Sequence, residues 1–130
     1  MNYSKILVKF TAIVFFVYGV LFALMPVTFM QLVAKVEIEQ ASAIIDISAT
    51  YGGMSIGVGI ILWLLAKKAE TLLIGLQSTF ALMCGMAGVR LFAIIATQEG
   101  NNTMYVYLAL EVAAALAAFI LIKQTIKKEL

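Results

Sequence analysis

The chain has 130 residues, 64% of them hydrophobic and only 12% charged, with a net charge of +2 and a mean hydropathy of +1.07. Soluble domains are roughly half apolar, so this composition excludes an ordinary water-soluble fold. The small positive excess flanks the apolar stretches, where it has a plainer role as a topology signal, so no nucleic-acid partner is expected.

Apolar residues fall into four blocks, 10–25, 47–66, 71–96 and 105–122. Each is close to the roughly 17 to 25 residues that a helix needs to cross the hydrocarbon core of a bilayer. Strict alternation, which a membrane barrel strand would show, is absent. The expected fold class is therefore all-α, a single integral membrane four-helix bundle. Lys5 and Lys9 precede the first block as in a signal peptide, but Ala23-Leu24-Met25-Pro26 offers no small-x-small cleavage site. The first block is read as a retained span.

After it, Pro26 suits the first turn of a helix, and Phe29, Met30, Leu32 and Val33 can lie in the membrane interface, so a short interfacial helix is predicted over 26–34. Lys5, Lys9, Lys67, Lys68, Lys123, Lys127 and Lys128 flank the chain ends and the middle turn, whereas the other two loops carry Lys35 alone. By the positive-inside rule, both termini and the middle turn are expected in the cytoplasm. Glu37, Glu39, Asp46 and Glu99 mark the opposite, outer side.

Small residues recur at helical spacing: Ala49, Gly53 and Gly57, then Ser55 and Gly59, in the second span, and Ala81 with Gly85 and Cys84 with Gly88 in the third. Helices in lipid associate where small side chains let backbones approach, so Gly52, Gly53, Gly57, Gly59, Gly85 and Gly88 are expected at helix contacts, within the chain or in a homo-oligomer. Trp63, Tyr3, Tyr105 and Tyr107 near span ends read as interface anchors.

Two charges interrupt the apolar blocks, Arg90 in the third span and Glu111 in the fourth. Charges at that depth are costly and pair or mark a site. Arg90 lies about 10 Å below the outer end of its helix at 1.5 Å per residue, and Glu111 at similar depth in the next one, so a short turn between them brings the two level. Tyr51 lies near the outer end of the second span, on one helical stripe with Ser48 and Ser55, and Asp46 stands at its mouth. Arg90, Glu111, Tyr51, Asp46 and Ser48 thus form a candidate polar layer. It either fixes helix packing as a buried ion pair or holds the head group of a membrane lipid or lipophilic small molecule, Arg90 being the hydrogen-bonding fork.

The chain contains no histidine, which excludes an imidazole-ligated haem or zinc and a Ser-His-Asp triad from its own residues. The single cysteine, Cys84, forms no internal disulfide. No cofactor or metal site is expected, and Glu111 beside an arginine would stay ionised rather than act as a general acid. An enzyme or carrier acting on a lipophilic molecule such as a quinone or lipid is the alternative.

These residues carry a family resemblance. Asp46 through Gly59 with Tyr51-Gly52-Gly53, then Gly88-Val89-Arg90-Leu91, Gly100 and Glu111, resemble the small bacterial four-helix family catalogued as domain of unknown function 4345. The similarity runs from about Pro26 to the last span. It implies a four-span bacterial membrane protein and supplies no activity. Members commonly carry an arginine at the position of Ser48, a departure that leaves Arg90 the sole cation at this depth. A looser likeness to DoxX-like membrane proteins is one of architecture, from which function does not follow.

Overall fold

The computed structural model describes residues 2–129, and every regular element among them is helical. In chain order these are α1 (Asn2–Leu24), α2 (Pro26–Ala34), α3 (Ala41–Ile47), a π-helical turn (Ser48–Gly53), α4 (Met54–Leu65), α5 (Ala69–Thr97) and α6 (Asn102–Glu129). The second span is continuous through α3, the π turn and α4. Tyr3–Leu24, Ala41–Leu65, Ala69–Thr97 and Asn102–Lys127 are each long and apolar enough to cross a membrane. The helices extend past the apolar blocks because a turn holding Lys5 or Lys9 is still helical although it is no longer hydrocarbon-soluble. The side chain of Lys128, one of the flanking cations, lies outside the described residues.

The spans form two antiparallel hairpins. In the first, α1 lies along the second span with the backbones nearly touching. A Cβ placed on Gly59 would stand 2.7 Å from the Ala12 carbonyl oxygen, and one on Gly52 would stand 2.8 Å from the Ala23 nitrogen. Gly19 of α1 presses back, its missing Cβ falling 2.6 Å from the Ile56 nitrogen. In the second hairpin, α5 packs along α6. The hairpins join through α1 and, at the end that holds both termini, through a core of Val8, Ala12, Leu62, Ala66, Leu72 and Leu76. There the 66–68 turn is closed by Thr71, whose hydroxyl donates to the Leu65 carbonyl at 2.8 Å. Lys9 lies 4.9 Å from the Trp63 ring centroid at this end, and Lys123 4.6 Å from that of Phe119.

At the opposite, loop end, Pro26 opens α2 in the first turn, where a missing N–H costs nothing. Lys35 closes α2 and Gln98 closes α5, both in the left-handed region at φ 61° and 54°. Asn101 ties these pieces together. Its carboxamide oxygen accepts from the Met104 backbone N–H at 3.0 Å, which caps α6, while its amide donates to the Val33 carbonyl at 3.1 Å.

The outer faces of the spans are apolar. Phe10, Ile45, Val89, Phe92 and Leu110 are all more than 60% exposed. Large apolar side chains distributed round every span need lipid, not water, as their solvent.

Candidate functional site

Buried positions on α5 run Leu76, Thr79, Met83 and Ala87, and the same three-and-four spacing places Arg90 next on that face. On α6, Glu111, Ala115 and Ala118 form the corresponding buried stripe. Two inward-facing stripes meeting across one hairpin bring the charges together, seven residues before the end of α5 and nine after the start of α6. The Arg90 Nε–H donates to both Glu111 oxygens, at 3.1 Å to Oε1 and 3.0 Å to Oε2, and Nη2 donates to Oε1 at 2.6 Å. Nη1 donates to the Met104 sulfur at 3.2 Å, and the guanidinium carbon lies 5.4 Å from the Tyr107 ring centroid. The Glu111 side chain is 7% exposed and that of Arg90 20%.

A guanidinium carries five N–H groups. Glu111 takes the Nε–H and one on Nη2, and Met104 takes one on Nη1, which leaves one N–H on each terminal nitrogen unclaimed. The carboxylate, by contrast, accepts three hydrogen bonds and is 7% exposed.

The remaining predicted residues are arranged differently. Tyr51 is half-exposed, and its ring stacks on Phe22 with centroids 5.4 Å apart; it makes no hydrogen bond to the ion pair. Ser48 donates to its own helix, to the Ile44 carbonyl at 2.8 Å. Asp46 is exposed on α3 and forms no ion pair among the described residues. The expected common stripe of Ser48, Tyr51 and Ser55 is broken, Ser55 being buried while Tyr51 faces out. The cause is the π turn over Ser48–Gly53, whose i to i+5 bonding adds about one residue to the turn and shifts all that follows round the helix axis.

Tyr18 and Phe22 of α1 belong to the layer although neither is charged. Tyr18 packs against Phe22 with ring centroids 4.7 Å apart, and Phe22 in turn stacks on Tyr51. Counting depth from the end of α1 identifies it: Tyr18 sits six residues before Leu24, about 9 Å down at 1.5 Å per residue. Tyr107, expected as an interface anchor, lies one turn before Glu111 and faces Arg90. The layer is therefore one ion pair with the Tyr107 ring at its guanidinium, and beside it an aromatic cluster of Tyr18, Phe22 and Tyr51.

Of the six glycines expected at helix contacts, Gly52 and Gly59 stand at the α1 interface, whereas Gly53, Gly57, Gly85 and Gly88 have nothing within 4 Å of a notional Cβ. Among the described residues no three His, Cys, Asp or Glu side chains gather as metal ligands would.

Four long apolar helices, lipid-type outer faces and a polar pair sequestered between two of them define a multi-pass four-helix membrane protein. The model of the family described as domain of unknown function (DUF4345) matches residues 3–122, and the chain belongs to that family. No curated protein and no solved structure matches the chain.

Proposed function

We propose that the Arg90–Glu111 layer holds the polar head of a lipid-like molecule while its ion pair locks the second hairpin. The observation that carries this reading is the pair of unclaimed N–H groups on a guanidinium that is 20% exposed yet lies within a span. A donor left unpaired in hydrocarbon costs several kcal/mol on the order-of-magnitude scale for such groups, so an oxygen acceptor arriving from the bilayer gains what water would supply elsewhere. Tyr107 at the guanidinium, and Tyr18 and Tyr51 packed on either side of Phe22, add flat apolar faces with polar tips suited to an amphiphile.

Native mass spectrometry of gently purified protein tests this. A discrete co-purifying mass is expected on wild type and on Asp46→Asn, and is expected to be lost from Arg90→Lys, which keeps the charge but not the fork. An identical bound mass on all three, or none on wild type, rejects the reading.

The same proposal places the termini in the cytoplasm of a bacterial inner membrane, with the polar layer in the outer leaflet. The cations Lys5, Lys9, Lys67, Lys68, Lys123 and Lys127 on the terminal end, against Lys35 on the loop end, support it. In a Cys84→Ala background, Gln98→Cys is expected to react with a membrane-impermeant maleimide in intact cells, and Lys67→Cys only after permeabilisation. The reverse pattern overturns the orientation.

A further inference from the structure

We propose that the molecule held at this layer is an uncharged amphiphile, its head an oxygen acceptor such as an ester carbonyl on Arg90 and its chain lying in the lateral groove between α4 and α5. The inference rests on the reading above and specifies the ligand class.

Two observations carry it. The first is the groove, about 550 Å3 in volume and walled by Val58 and Leu62 of α4 and by Ser78, Leu82, Gly85 and Met86 of α5. It is a shallow groove open along its side to the bilayer, so it seats a chain laterally rather than enclosing it. Its lining is almost wholly apolar, and Gly85 leaves its wall open, with nothing within 4 Å of a notional Cβ. The groove lining ends at Met86, one helical turn before Arg90, so a head extending about 6 Å beyond it along α5, at 1.5 Å per residue, comes level with Arg90.

The second is charge. Glu111 neutralises Arg90 through two of its donors, and the Met104 thioether and the Tyr107 ring are the other groups on the guanidinium, neither of them charged. An anionic head would bring an uncompensated charge next to a buried carboxylate inside a span, where charges are expensive. A carbonyl or hydroxyl oxygen accepts the same two N–H groups without that cost. Glu111 is on this account a specificity-determining residue: it sets the charge of the head that the site accepts.

Competition between methyl palmitate and palmitate for protein in uncharged nanodiscs, read by native mass spectrometry, tests the proposal. Wild type is expected to favour the ester at least about tenfold, and Glu111→Gln, which keeps an acceptor for Arg90 but removes the negative charge, to reverse the preference towards palmitate. Gly85→Leu, at a position with free space, is expected to fold normally and lose at least about tenfold of ester binding by filling the groove. Wild type favouring palmitate, an unchanged preference in Glu111→Gln, or full ester binding by Gly85→Leu each overturns this proposal and leaves the head-group reading intact. Binding that is indifferent to Arg90→Lys overturns both.

Discussion

Glu111→Ala is expected to destabilise the protein in detergent by about 3 kcal/mol, the lower end of the range for breaking a buried ion pair. The mechanism is desolvation: Arg90 would retain its charge within a span and lose the acceptor for three of its four hydrogen bonds. Its partial exposure lets the stranded guanidinium turn towards the loop end, which limits the cost. Arg90→Ala is expected to cost a similar amount: the carboxylate it abandons is 7% exposed and cannot turn to water, but it can take up a proton, whereas a guanidinium cannot lose one. Replacing both charges, as Arg90→Met with Glu111→Leu, is expected to restore most of the loss, since a matched apolar pair needs no desolvation. Unfolding by a graded denaturing detergent, followed by circular dichroism, gives these differences.

Gly59→Leu is expected to have a comparable effect by a different route. Its first side-chain atom would meet the Ala12 carbonyl oxygen at 2.7 Å and the Phe16 nitrogen at 2.8 Å, both backbone atoms of an intact helix that cannot swing aside. The α1 helix must then withdraw from the second span along its length, with the loss of close packing that in lipid is the main source of helix association. Overpacking of this kind costs about 1–3 kcal/mol or more. Gly19→Leu strikes Ile56 and Gly52 in the same way. Gly57→Leu, two residues from Gly59 but facing open space, is expected to leave the unfolding midpoint of the monomer close to wild type. Equal sensitivity at Gly57 and Gly59 would contradict this packing.

What was legible in the sequence follows from what lipid demands. A bilayer accepts only spans that satisfy their own backbone, so four apolar blocks imply four helices. Charge inside such a block is conspicuous for the same reason, and Arg90 and Glu111 could be paired from depth alone. Facing was less legible. Glycine spacing says that a stripe is small but not which neighbour it meets, and so Gly52 and Gly53, adjacent in sequence, end on opposite sides of the contact. Gly19 and Gly75, outside the recurring stripes, are in close contact instead, the notional Cβ of Gly75 lying 3.1 Å from Val8. The π turn is invisible to a reading that assumes an α-helical period throughout, and it separates Tyr51 from Ser55. Tyr18 is uncharged, so depth counted from the end of its span is the one mark it carries in the sequence.

The central claim is that Arg90 and Glu111 act as one unit on which both the helix lock and the head-group site depend. A double-mutant cycle of Arg90→Met, Glu111→Leu and the combination, measured by detergent unfolding, tests it most directly. The account predicts a coupling of about 2 kcal/mol or more, within the range for residues in contact. Additive effects, with coupling below about 0.5 kcal/mol as for independent sites, would contradict it.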